Sequence, residues 1–318
     1  MITVSKNKMD DNDFDNLYNS RLLPVMDQLR AECRKGNKWA TVGLLSFVAF
    51  MVVMYFGMMA GKIPYYGIYC VPLFALAIAS LVMYTSKRDA FTDDYKKLVI
   101  NEIINHLCPG MEYKADECIS AQDYELSSLY RYYYDYYSSN DFMSGTIDNV
   151  QFLFSELWTQ YDDYRRHRTI FKGLFFAIQT NYAFTDSTYA WSRDTVQLAG
   201  SIYDEEYRLM PMPDVDDVGF GDKDFENYYR VCSTYPAEAT TILTPSLRTK
   251  FTEISQLAPA PVSFSFVNGN LYMAIQHSED LLEPPDRDPD DKEEIHKYYL
   301  SVQLIIGIVK NLELGQLV

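Results

Sequence analysis

Acidic side chains are the first place to look for chemistry in this chain, because it carries 44 Asp and Glu against 28 Lys and Arg. In DVDDVGFGD, Asp214, Asp216, Gly219 and Asp222 fall at four of the positions that a calcium-binding loop uses. Val218 and Phe225 stand where that loop needs a further side-chain ligand and a bidentate Glu. DRDPDDKEE spaces Asp286, Asp288 and Asp290 in the same way, but puts Asp291 at the glycine position and Lys297 at the Glu position. Both stretches read as solvated acidic loops, the second leading into a helix N-terminus. The histidines His106, His167, His277 and His296 form no HExxH or HxH pair. His167, within RRHR and near Asp162 and Asp163, reads as part of a salt-bridged surface turn. There is no GxSxG elbow and no GxxxxGK[ST], and GFG at 219–221 lacks dinucleotide-fingerprint spacing. Neither a metal nor a cofactor is expected. Cys33, Cys70, Cys108, Cys118 and Cys232 form no CxxC pair and read as reduced thiols.

The elements that would hold such groups begin with two apolar stretches. Trp39 to Ala60 has no charged residue over 22 positions, and Ile63 to Ser86 has none over 24. At about 1.5 Å per residue, each is long enough to cross a hydrocarbon core of roughly 30 Å as a helix. Gly61 and Lys62 alone separate them, so they form a tight antiparallel hairpin. Arg30, Arg34, Lys35 and Lys38 precede the first, and Lys87, Arg88, Lys96 and Lys97 follow the second. The positive-inside rule then places both termini in the cytoplasm. A cleaved signal peptide is disfavoured by the long polar segment in front and by the length of the apolar run. Neither span carries an Asp, Glu, Lys, Arg or His side chain for an ion or substrate path, which argues against a channel or transporter.

Residues 1–88 hold 10 basic against 6 acidic residues, and the remainder holds 18 against 38, a net charge of −20. Such a domain is repelled by nucleic acid, which is not an expected partner. Phe14, Leu17, Leu22, Leu23, Val25, Met26 and Leu29 give an amphipathic lead-in over 1–38 that Pro24 should end or kink. Asp89 to Leu107 carries a helical stripe stopped by Pro109 and Gly110, giving a juxtamembrane helix over 87–110.

Over 111–318 the period changes. Asn149–Phe154, Thr169–Gln179, Thr188–Leu198 and Tyr229–Cys232 read as strands. FKGLFFAIQ is about as apolar as membrane, but nine helical residues cover only about 14 Å, so it reads as a strand buried on both faces. SFSFVNGNLYMAI is a β-hairpin with Asn268-Gly269 as a type I′ turn. The tyrosines of YRYYYDYYSSND, 130–141, read as a half-buried element with wet hydroxyls. Ile295, Tyr298, Val302, Ile305, Val309 and Leu312 place a packing helix over Asp291–Leu314, with Gly315 as its stop. The fold class is α+β: a transmembrane helical hairpin over 39–86, then a cytosolic domain with a mainly antiparallel sheet and a C-terminal packing helix.

With these residues placed, the chain resembles an uncharacterised bacterial membrane family, domain of unknown function 3137. The resemblance rests on the hairpin and on NDFMSGTIDNVQFLFSEL, IFKGLFFAI, DFENYYRV, ILTPSLRTKF, VSFSFVNGNLYMAI and LLEPP. It extends over nearly the whole chain from the first span. It implies a bacterial inner-membrane protein with no assigned activity, and a LemA-type membrane protein as partner. Asp141, Glu156 and Glu283 are polar positions inside these otherwise apolar stretches and are the binding candidates; no residue is singled out as catalytic. Three functions stay open: a membrane-anchored binding or scaffold protein, a tethered hydrolase using these dispersed carboxylates, and an accessory subunit of a transport or envelope-stress complex.

Overall fold

The structure, a computed structural model, describes residues 8–59, 65–163, 166–180, 182, 184–194, 213–258, 260–278, 280–285 and 289–312. The chain divides into two compact units. The first comprises Lys8–Ile103 and Glu283–Tyr298, and the second comprises the described residues of Ile104–Leu282 and Tyr299–Val318.

In the first unit, α1 (Lys8–Leu17) runs through a π-helical turn, Tyr18–Leu22, into α2 (Leu23–Met58). Pro24 therefore does not end the helix. The wide turn bonds the Leu23 N–H to the Tyr18 carbonyl, so the ladder changes register where proline would break it. α3 (Tyr66–Tyr95) likewise passes through a π turn, Lys96–Ile100, into α4 (Asn101–Leu107), whose last residues belong to the second unit, so the second apolar helix continues past residue 86 as expected. α2 and α3 pack through small residues. A Cβ on Gly43 would lie 3.2 Å from the Ser80 Cβ, and Ser46 and Ser80 are buried beside it. Tyr66 fills the space next to Gly57. The remaining faces of both helices are bare: Leu44, Leu45, Val48, Met51 and Tyr55 on α2, and Ile68, Val71, Leu81 and Val82 on α3, are all exposed. The turn at Gly61 and Lys62 lies outside the described residues.

In the second unit, nine strands among the described residues form one antiparallel sheet. They are β1 (Glu112–Lys114), β2 (Tyr136–Ile147), β3 (Val150–Asp163), β4 (Arg166–Gln179), β5 (Thr188–Ser192), β6 (Asp216–Asp217), β7 (Tyr229–Ser233), β8 (Val262–Val267) and β9 (Asn270–Gln276). Their order is β1-β2-β3-β4-β9-β8-β5-β7-β6. FKGLFFAIQ lies in β4, at the centre, with Phe171 and Phe175 buried on one face and Leu174, Phe176 and Ile178 on the other. The Asn268-Gly269 turn joins β8 to β9 with φ of 50° and 78°, as a type I′ turn requires. A second such pair, Asp148 and Asn149 at φ of 49° and 65°, joins β2 to β3.

Each sheet face has its own cover. On one, α5 (Ala121–Ser127) and the tyrosine segment surround Phe171 and Phe175. The rings of Tyr124, Tyr130, Tyr134 and Tyr137 lie against one another, the Tyr137 hydroxyl donates to the Ile119 carbonyl at 2.8 Å, and that of Tyr134 to Glu125 at 2.6 Å. Burial pushes the Tyr124 phenol far above its ordinary value. On the other face, α8 (Pro245–Leu257) stacks Phe251 on Phe264 of β8 at 3.6 Å, alongside Tyr229 and Phe225. α6 (Lys223–Tyr228) and α7 (Pro236–Ile242) complete this end. α9 (Lys292–Asn311) is the expected C-terminal helix, and its stripe is buried: Ile295 and Tyr298 in the first unit, Val302, Ile305 and Val309, with Leu312 just past the helix end, in the second. Thr188 starts a strand as anticipated, but it is a short one ending at Ser192, and Arg193 and Asp194 are not part of it; residues 195–198 of that stretch, and Gly315, lie outside the described residues.

Candidate functional site

Register brings six side chains of β2, β3 and β4 into two rows on one face. Ser138 pairs with Trp158 and Trp158 with Lys172; Asn140 pairs with Glu156 and Glu156 with Leu174. With Asp280 from the segment after β9, they line a cleft of about 180 Å³ in the second unit. Gly173 also lines it, and its backbone presses on β9 so closely that a Cβ would sit 2.1 Å from the Ile275 carbonyl oxygen.

The groups are held in place by their neighbours. Glu156 is 5% exposed, and its Oε1 accepts the Leu281 N–H at 2.9 Å. The Lys172 ammonium pairs with Asp280 at 3.1 Å and lies 5.4 Å over the Trp158 ring. The Trp158 indole N–H donates to Thr169 at 3.2 Å, and Tyr136 meets the same ring edge-on at 5.9 Å. The cleft thus offers a fixed carboxylate, an ion pair, an amide, a hydroxyl and an aromatic face.

Of the three acids expected to bind, Glu156 alone lines this cleft. Asp141 is fully buried at φ 56°, in the bulge where Asp141 and Phe142 face Ser155; it accepts from the Tyr113 hydroxyl, and its N–H bonds the Ala115 carbonyl at 3.0 Å. Glu283 belongs to the first unit, where Lys96, itself 5% exposed, reaches it at 2.8 Å and the Tyr298 hydroxyl donates to its carbonyl at 2.6 Å. Sequence reasoning missed Lys172, Trp158, Ser138 and Asp280. None had a local signal: the bulge at Asp141 shifts the β2–β3 register before Ser138 meets Trp158, Lys172 comes from a third strand, and Asp280 depends on the path of the chain beyond β9.

Two acids of the calcium-like loop, Asp222 and Asp217, are engaged with cations and backbone. Asp222 caps α6 by accepting the Phe225 N–H at 3.3 Å and takes the Arg248 Nε at 2.9 Å. Asp217 grips Arg230 at 2.9 and 3.1 Å and accepts the Cys232 thiol at 3.1 Å. Burial and the Asp217 carboxylate push that thiol up to about 12, so it stays protonated and unreactive at neutral pH. Among the described residues, no group of three or more His, Cys, Asp or Glu side chains is arranged to hold a metal ion. His167 faces Asp162 at 3.4 Å, as expected for that turn.

Arg248 also donates to the Leu243 carbonyl at 2.7 Å and lies 4.9 Å over the Phe220 ring. Arg248→Ala is therefore expected to destabilise the second unit by about 2 kcal/mol in denaturant unfolding. Arg248, with the Phe225 N–H, holds Asp222 below the ordinary aspartate value of 3.8. Its stabilisation is complete above that value and is lost as pH falls through the folded value. The variant should accordingly lose part of the native unfolding dependence on pH below about 4.

Residues 169–314 match the family model described as Protein of unknown function (DUF3137). This segment belongs to DUF3137. The match begins within β4 and takes in β5 to β9 and α9, so the resemblance expected over nearly the whole chain is shown for this part. Lys172, Gly173, Leu174 and Asp280 lie in the DUF3137 segment, whereas Ser138, Asn140, Glu156 and Trp158 precede it. No curated protein matches the chain. The crystal structure of the mycobacterial trehalose monomycolate transport factor A, TtfA, is similar at 8% identity and a TM-score of 0.32, over 67% of this chain and 95% of that one, which is too slight a likeness to argue from.

Proposed function

We propose that the chain is a membrane-anchored binding protein whose helical hairpin sits in the bacterial inner membrane and whose acidic sheet domain works on the cytoplasmic side. The observation that carries this is the hairpin surface. Two helices of 47 and 42 residues contain apolar windows that are only 6% and 11% buried, so the protein itself does not cover them. A core helix of a soluble protein would be mostly buried. Basic residues cluster at the outer ends of both spans, which favours cytoplasmic termini.

Binding is favoured over hydrolysis because Asp141, Glu156 and Glu283 are each held by a separate set of partners and do not form a reacting pair. A LemA-type membrane protein is the proposed partner. The experiment is affinity purification of the tagged native chain in mild detergent. A stoichiometric membrane partner supports the reading, and a chain that always purifies alone contradicts it. The side of the membrane is tested separately through Cys118, which is exposed in the second unit. A membrane-impermeant maleimide should label it in lysed but not in intact spheroplasts.

A further inference from the structure

We propose that the cleft on β2, β3 and β4 receives a lysine side chain presented by a partner protein. The inference rests on the binding-protein reading and names the chemistry of its partner. The cleft already shows how it would treat an ammonium, since Lys172 is held there by the Asp280 carboxylate at 3.1 Å and by the face of Trp158 at 5.4 Å. Glu156 supplies a second carboxylate, oriented in advance by the Leu281 N–H at 2.9 Å, so little ordering is needed when a cation arrives. Asn140 and Ser138 stand in the adjacent row positions and can accept the remaining ammonium protons.

The entrance suits a protein side chain. Trp158 is 36% exposed and Tyr136 is 48% exposed, an aromatic pair over which an aliphatic stem can lie. The volume of about 180 Å³ fits one side chain better than a large cofactor. The long-range field agrees, because the chain beyond residue 88 carries 18 basic against 38 acidic residues. A net charge of −20 draws a basic segment toward the domain before any contact forms. A neutral polyol could use the same hydroxyl and amide groups, but gains nothing from that field.

The test is calorimetric titration of the full chain in detergent with trilysine, with trilysine acetylated on its side-chain amines and glucose as comparison ligands. Trilysine should bind, more weakly as salt rises, and the acetylated form and glucose should not. Glu156→Gln keeps an acceptor for the Leu281 N–H and should weaken trilysine roughly tenfold. Asp280→Asn, at a side chain 45% exposed and tolerant of change, should weaken it as well. Lys172→Met removes the resident ammonium and should tighten binding severalfold, a gain that damage to the fold cannot produce. Absence of trilysine binding, preference for glucose, or an affinity untouched by Glu156→Gln and Lys172→Met overturns the proposal. If a partner co-purifies equally with native chain and Glu156→Gln, the cleft assignment fails and the binding reading survives. If trilysine binds as stated but the native chain purifies alone, the reverse holds.

Discussion

Gly173→Ala should leave little folded protein. The residue sits in β4 at φ 152°, opposite Gln276 of β9, and its added Cβ would stand 2.1 Å from the Ile275 carbonyl oxygen and 2.7 Å from the His277 nitrogen. Both atoms are backbone in a central strand pair, and the His277 N–H is bonded to the Lys172 carbonyl at 2.9 Å, so neither can give way cheaply. A clash of this kind, with a side chain forced into unfavourable backbone geometry, is expected to cost at least about 4 kcal/mol, a large share of a typical domain's stability. Gly269→Ala is the internal comparison. It too has positive φ, 78°, but a Cβ there meets no atom within 4 Å, so the cost should be about 1 kcal/mol. Folded soluble yield, and denaturant unfolding of any folded fraction recovered, separate the two variants; equal yields and stabilities would contradict the close approach of β4 and β9.

The double change Val48→Arg with Met51→Arg should prevent stable insertion of the hairpin. Both side chains lie about half exposed on the outer face of α2, and neither is needed to pack it on α3. In water such replacements are nearly neutral. At the middle of a bilayer each costs roughly 2.5–3.5 kcal/mol on insertion scales. The expected result is a steep fall in the membrane-inserted fraction, read from cell fractionation and total accumulation. Accumulation in membranes equal to the native chain would mean that lipid does not cover this face.

How much of this was legible depended on whether a signal was local. The two long apolar helices, the Asn268-Gly269 turn and the α9 stripe are set by hydrophobic period and turn chemistry within a few residues, and each lies where those patterns place it. The double burial of FKGLFFAIQ was equally readable, since a run with no polar alternation has no face for water. β2 was harder, because its tyrosines and serines alternate weakly and the Asp148-Asn149 turn is a less common pair than Asn-Gly. The short helices α5 to α8 escaped notice because six to thirteen residues give few helical repeats, although Ser120, Asp222 and Thr244 cap three of them. The π turn ahead of Pro24 had no sequence signature; a helix end or a kink was expected, and the chain continues as helix by widening its ladder there.

The site divides along the same line. Glu156 stood out as an acid in an apolar run, and the structure gives it a cleft; Asp141 and Glu283 stood out equally and are bound up with Tyr113 and Lys96. An acid in an apolar strand marks a position that needs a partner, and sequence does not say whether the partner is a side chain of the same chain or a ligand. Lys172, Trp158 and Ser138 become visible only when three strands are set in register, because the row they form has no counterpart along the chain.

The central claim is that a bilayer covers the bare faces of α2 and α3 while the sheet unit stays in water. Alkaline carbonate extraction of membranes from cells making the native chain tests it most directly, since high pH strips peripheral proteins and leaves spanning helices in place. The full-length chain is expected to stay in the membrane pellet; its release into the supernatant would mean that no bilayer holds α2 and α3.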